Sequence, residues 1–199
     1  MELLMEILSV FLSAVLLENM VFSRALGVSR TTLVQEKRAS VIAFSISVLF
    51  MCTVSSVLGW GIRWLLGWSK IELTLFVKQA ALFLAVIASY ALLYLLVRSR
   101  MKALVSMFGN IVSYAAFNGA VYGSLLISST KELALWQSLV HGFGAGCGMV
   151  LACWLILIGH RRLDLRNVPR SFRGMPIMLM YIGILALALY GLVGHNLPT

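Results

Sequence analysis

The sequence predicts an all-α polytopic membrane protein: six transmembrane helices, arranged as two inverted three-helix repeats, with helices 1 and 4 interrupted. Three observations carry this. The 199 residues are 61% hydrophobic and 12% charged, where a soluble domain carries roughly a quarter charged residues. The apolar runs are about 22 to 28 residues long, enough to cross a bilayer as helix, whereas a barrel would show segments of about ten residues with alternating polarity. Two short stretches match each other: Leu17-Glu18-Asn19-Met20-Val21-Phe22 and Ala116-Phe117-Asn118-Gly119-Ala120-Val121-Tyr122-Gly123.

Taken in order, helix 1 is expected over about residues 3–23, starting without the positive segment of a signal peptide. Glu18 and Asn19 lie near its end, with Glu18 expected to partner Arg24 or water. Helix 2 is expected over about 39–62, with Ser and Thr residues that bond back to the helix, and a turn with an interfacial aromatic belt follows at Trp60 to Trp68. Helix 3 covers about 71–97, with Lys78 snorkelling near its start, and helix 4 about 104–128. Helix 5, about 134–159, holds Gly142 and Gly146, then Gly144 and Gly148, at the four-residue spacing that lets another backbone approach closely. Helix 6 runs over about 175–194. The single membrane domain divides into repeats at 1–100 and 101–199.

The charges set the topology. Twelve of the sixteen Lys and Arg fall in the loops after helices 1, 3 and 5. That side is therefore cytoplasmic, and both termini face outward across a bacterial-type inner membrane. The net charge of +9 is spread over these short loops, which suits anionic lipid and leaves no surface for a nucleic acid. An odd number of helices per half makes the second half enter from the opposite side, and the functional site of an inverted repeat tends to lie between the halves. Asn19 and Asn118 are 99 residues apart, half the chain, in equivalent helices. An isolated Asn in a membrane helix reads as an interhelical hydrogen bond. A matched pair, with Gly27 after the first and Gly119 and Gly123 after the second, reads as a central helix-break site, since glycine permits unwinding. Leucine at either Asn is expected to damage function more than fold.

Other chemistries find no footing. The glycine run of helix 5 fails the dinucleotide pattern in every frame, and no strand precedes it. Cys52, Cys147 and Cys153 lie inside apolar runs as packing residues, and His141, His160 and His195 sit on separate segments. There is no catalytic constellation and no metal-ligand set, so the chain is at most one subunit of a larger oxidoreductase or translocase.

The stretch Glu18 to Phe22 continuing through Leu26-Gly27-Val28 resembles the first helix of the Rnf/Nqr membrane-subunit family. Asn118 to Gly123 is similar to that family's fourth-helix motif. The most specific match is Asn167-Val168-Pro169-Arg170-Ser171-Phe172-Arg173-Gly174-Met175-Pro176-Ile177, which resembles the family's V-P-x-x-F-R-G loop, with Pro169, Phe172, Arg173 and Gly174 as its fixed points. An orientation with both termini outside looks like the A-type member of the Rnf electron-transport complex. The resemblance implies six helices with helices 1 and 4 broken, pairing with a second six-helix paralogue in opposite orientation, and other redox-complex subunits as partners. It also implies a shared iron–sulfur cluster held at mid-membrane by cysteines, with electron transfer coupled to Na⁺ or H⁺ movement. The positions matching the cluster cysteines read Ser29 and Gly119, neither of which supplies the thiolate a cluster needs. The expectation is therefore a redox-complex membrane protein without its own cluster and without a cofactor of its own. The alternative is a stand-alone or paired ion or small-solute transporter on the same scaffold.

Overall fold

The computed structural model describes residues 2–28, 38–68, 75–100, 111–163 and 168–193. Among them every regular element is helical. In hydrocarbon a backbone N–H or C=O without a partner costs several kcal/mol, so uninterrupted helix is the default. α1 spans Glu2–Leu12 and passes into a π-helical turn, Ser13–Leu17. α2 is Arg38–Trp68, α3 Leu75–Arg100, α4 Gly119–Thr130, α5 Leu135–Arg162 and α6 Met175–Val193. Helical residues 111–116 precede α4. Among the described residues, four helical stretches are long and apolar enough to cross a membrane: Ser40–Gly67, Leu75–Ser99, Ile111–Thr130 and Leu135–Arg162. Met175–Gly191 is a shorter apolar helix.

Two boundaries differ from expectation: the first helical run ends at Leu17, short of residue 23, and the second runs on past residue 62. Trp60 to Trp68 is no turn but the last turns of α2. Glycines 59, 61 and 67 weaken a helix by about 1 kcal/mol each, which is less than the cost of leaving backbone groups unpaired in an apolar setting. Trp64 still points outward, as a belt residue would.

α2 and α5 form the centre. The glycines of α5 make two seams, as their spacing predicts. A Cβ on Gly142 would stand 2.6 Å from the Cys52 carbonyl, and one on Gly146 would stand 2.8 Å from the Leu49 Cα, so that edge is pressed against α2. A Cβ on Gly144 would stand 2.9 Å from the Ala14 Cβ, and one on Gly148 would stand 3.0 Å from the Val15 carbonyl, so the other edge receives the first helix. α6 leans on the far end of α5, with the Tyr181 ring over Gly159 and its hydroxyl donating to the Leu155 carbonyl at 3.2 Å. Several polar side chains within the helices are spent locally: Thr53 donates to Leu49, Ser55 to Cys52 and Ser89 to Ala85 carbonyls. Phe44, Met51, Leu125, Met149 and Ile156 fill the core. Leu75, Phe76, Leu84, Ile184 and Leu187 stand outward and bare, the pattern of a protein whose solvent is apolar.

Candidate functional site at the two helix breaks

Both matched stretches are breaks, and both use asparagine in the same way. After Leu17 the first helix stops. The Asn19 side-chain oxygen accepts the N–H of Val21 at 3.0 Å and of Phe22 at 3.1 Å. Its amide nitrogen donates to the Val15 carbonyl at 2.9 Å and to the Gly148 carbonyl of α5 at 3.1 Å. Asn19 is buried, and its amide is fully engaged. The chain then turns back on itself, with Ser23, Ala25 and Leu26 N–H groups bonded to Asn19, Val21 and Met20 carbonyls. Ala25 and Gly27 take positive φ, 55° and 81°. Gly27 accepts this conformation without the steric cost that a side chain imposes.

The second break is shorter. Asn118 is extended between the helical residues 111–116 and α4, and its side-chain oxygen accepts the Ala120 N–H at 3.2 Å as the N-cap of α4. In each case the acceptor serves the N–H two residues on, which is the physical content of the match. The difference lies in the other half of the amide. The Asn118 nitrogen is buried and has no hydrogen-bond partner among the described residues.

The two breaks meet. A Cβ on Gly27 would stand 2.5 Å from the Asn118 Oδ1 and 3.1 Å from its Nδ2, so only glycine lets the first break settle on the second asparagine. Leu26 lies over Gly119 and Gly123, and a Cβ on Gly123 would stand 2.5 Å from its Cδ1. Gly27, Asn118, Gly119 and Gly123 thus come together. Asn19 joins from the other side through α5, reaching Gly148. Ser29 lies outside the described residues.

Each break also borders an open apolar groove. One of about 840 Å³ runs between Leu17, Phe22, Ser23 and the α6 residues Ile184, Leu187 and Tyr190. One of about 610 Å³ lies over Asn118 and Gly119, walled by Phe76, Phe83, Phe117 and Tyr122.

The loop motif is elsewhere. Arg170–Phe172 is a single 3₁₀ turn in which Phe172 N–H bonds to the Pro169 carbonyl at 2.9 Å. Arg173 Nε donates to the Val168 carbonyl at 2.8 Å, and Gly174 takes φ 84°. Pro169, Phe172, Arg173 and Gly174 therefore form an exposed turn that leads into α6, apart from the breaks.

Glu18 is paired differently from expectation. Its Oε1 receives Lys131 Nζ at 2.6 Å from the α4–α5 turn, and Arg24 is not its partner. The π turn ends at Glu18, and this turns its carboxylate toward α4 and α5.

No cysteine belongs to the described break segments themselves, although Cys147 precedes Gly148, whose carbonyl holds Asn19. Cys52 is buried in α2, and Cys147 and Cys153 lie in α5. Gly119 has no side chain at all, so the break residues described do not fit a group held by thiolates.

The fold and this geometry define a class: a multi-pass helical membrane protein whose first helix and fourth helix are both interrupted, with the interruptions in contact. Comparison narrows the class. The family model described as "Rnf-Nqr subunit, membrane protein" matches residues 7–195, and the chain belongs to that family. It is 31% identical over 190 residues to a protein of Syntrophotalea carbinolica named as the A subunit of an ion-translocating oxidoreductase complex, covering 95% of this chain and 97% of the relative. It is 30% identical, with the same coverage, to the protein of that name from Yersinia enterocolitica. It is 28% identical to the A subunit of the proton-translocating ferredoxin:NAD(+) oxidoreductase complex of Clostridium ljungdahlii, over 94% of this chain and 96% of that protein.

Two parts of the region escape sequence reasoning. Gly148 reads from its spacing only as a packing residue, although its carbonyl holds Asn19. His141 reads as an isolated histidine, yet it lies 4.0 Å from Glu18. Neither contact leaves a signal in local spacing.

Proposed function

We propose that this chain is a membrane component of a redox-driven ion-translocating complex of the Rnf type, with six membrane crossings in two inverted three-helix halves. The observation that carries the proposal is the contact of the two asparagine-held breaks, Gly27 on Asn118, within a family whose relatives are named as subunits of such complexes. Equivalent devices in the first and fourth helices, and the pairing of α2 with α5 at the centre, support the two-fold internal plan. The basic loops support a cytoplasmic face after helices 1, 3 and 5, with both termini outside the inner membrane.

On this reading the chain's own residues hold non-helical backbone inside the membrane, where it is tolerated only when buried in protein or lining a cavity. Asn19 and Asn118 satisfy the freed N–H groups. Gly27 and Gly119 keep the two breaks close. The grooves beside the breaks suit a second six-helix protein in opposite orientation, and lipid covers the remaining apolar surface. The chain carries no iron–sulfur cluster of its own, because Gly119 offers no ligand atom and the described break residues include no cysteine. Electron carriers then belong to other subunits.

A transporter reading has one observation in its favour: the Asn118 nitrogen is an open donor beside a groove. One experiment separates the two. Inverted membrane vesicles from cells lacking the chain are expected to lose redox-driven Na⁺ or H⁺ uptake. The wild-type gene restores it, and Asn118→Leu does not. Uptake that depends on the chain but needs no reductant would favour the transporter.

A further inference from the structure

The geometry points to a proton-loading site formed by Glu18, His141 and Lys131 inside the helix bundle. His141 lies six residues into α5 from Leu135, about 9 Å along the helix axis, and its side chain is 2% exposed. Three buried polar atoms in this region have no hydrogen-bond partner among the described residues: Glu18 Oε2, His141 Nε2 and Ser56 Oγ. Buried polar atoms are nearly always paired, so three orphans in one neighbourhood need an explanation. Ser56 is held at this level by the α2–α5 seam, where its Oγ would be 2.7 Å from a Cβ on Gly142, the residue after His141.

The carboxylate has two sides. Oε1 is taken by Lys131 at 2.6 Å. Oε2 is bare and stands 4.0 Å from His141 Nδ1, too long for a hydrogen bond. The charged groups acting on His141 are Glu18 from the first break and Lys131 from the end of α4, and the Ser124 backbone of α4 lies within hydrogen-bonding reach of the imidazole. The titratable group of α2 at this level is Cys52, whose side chain is engaged with Ser124; Arg63, further along α2, is turned to the Ser129 and Leu133 carbonyls. Glu132 lies on the α4–α5 turn beside Lys131.

Glu18 therefore has two candidate counter-cations. One is the Lys131 ammonium, whose side chain is 45% exposed and borders water. The other is His141 in its protonated form. Loading transfers one proton from hydronium in the aqueous phase to an imidazole nitrogen lone pair: an O–H bond of the hydronium breaks, leaving water, as the N–H bond forms. Glu18 then turns its charge to the imidazolium, and Lys131 keeps its charge and moves outward. Unloading is the reverse. A proton fits these atoms better than an alkali cation, since hard cations take shells of oxygen ligands and half of this site is nitrogen. The inference deepens the ion-translocating reading proposed above, but it concerns this chain alone.

The test uses the full chain in lipid nanodiscs, with ¹⁵N-labelled imidazoles and His160→Gln and His195→Gln to leave His141 as the sole reporter. The ring is followed by NMR between about pH 5 and 8. Lys131→Met, which leaves Glu18 without its ammonium, is expected to raise the imidazolium-to-imidazole ratio of His141 about tenfold at a fixed pH, one unit of titration midpoint. Glu18→Gln is expected to lower the ratio, and the double variant to erase the gain. His141 behaving identically in all four proteins would overturn the inference. So would a change in Glu18 contacts driven by Na⁺ at constant pH. If Lys131→Met does not fold, the isosteric Glu18→Gln still decides, because it changes no volume. Since no partner or reductant is present, failure here leaves the redox-complex reading standing, and loss of redox-driven uptake in vesicles leaves this site untouched.

Discussion

Replacing Asn19 with leucine removes four hydrogen bonds at once. Two of them serve the N–H groups of Val21 and Phe22 where the helical ladder has been broken, and two hold the Val15 and Gly148 carbonyls. Leaving a buried donor unpaired costs about 1–3 kcal/mol, which sets about 2–6 kcal/mol for the two N–H groups. In membrane proteins such bonds average only about 0.6 kcal/mol, because the unfolded chain in the bilayer also finds partners. The lower part of the range is therefore expected, about 2–4 kcal/mol. Asn118→Leu removes one accepted bond at an N-cap, worth about 0.5–2 kcal/mol. Reversible denaturation in mixed micelles measures both. The expected order is Asn19→Leu well below Asn118→Leu in stability, while Asn118→Leu is the one that abolishes uptake. The reasoning is refuted if Asn19→Leu stays within about 0.5 kcal/mol of wild type, or if Asn118→Leu is the costlier change.

Three further predictions follow from the same contacts. Gly27→Ala combines a positive φ with a Cβ 2.5 Å from Asn118 Oδ1, and should cost about 1–3 kcal/mol, whereas Gly183→Ala meets nothing within 4 Å and should be neutral in the same denaturation assay. Gly148→Val pushes against the Val15 carbonyl and the Asn19 amide, each 3.0 Å from the new Cβ, and should cost about 1–3 kcal/mol while exposing the first break to thiol labelling at an introduced Ala14→Cys. Arg173→Lys keeps the charge but loses the planar fork of an exposed turn, so chain stability should move by less than about 0.5 kcal/mol while recovery of the assembled complex in blue-native electrophoresis falls; unchanged recovery would leave Arg173 a topological role alone.

Much of this was legible in the sequence because the bilayer permits so few backbone solutions. Apolar length located the described helices. The small-residue spacing at Gly142, Gly144, Gly146 and Gly148 announced the two seams of α5. The matched asparagines announced the breaks, since a polar amide in an apolar run needs backbone groups to bond. Other features depended on three-dimensional approach. Trp60 to Trp68 continued as helix because glycine alone is a weaker terminator than unpaired backbone is a penalty. Glu18 met Lys131, 113 positions away, because the π turn ends there and swings the carboxylate toward α4; no local pattern encodes that swing. Asn19 and Asn118 read as equals, yet one amide is saturated and the other half open, a difference set by whether a carbonyl such as that of Gly148 happens to stand within reach.

The central claim is that this chain works as a membrane component of a redox-driven ion-translocating complex without supplying cluster ligands itself. Affinity purification from native membranes in mild detergent tests it most directly, with partners identified by mass spectrometry and iron counted on both the whole eluate and the isolated chain. The expected result is flavin or iron–sulfur subunits and a second six-helix protein in the eluate, and no iron on the isolated chain. Recovery of the chain alone, or iron retained by it in stoichiometric amount, would contradict the claim.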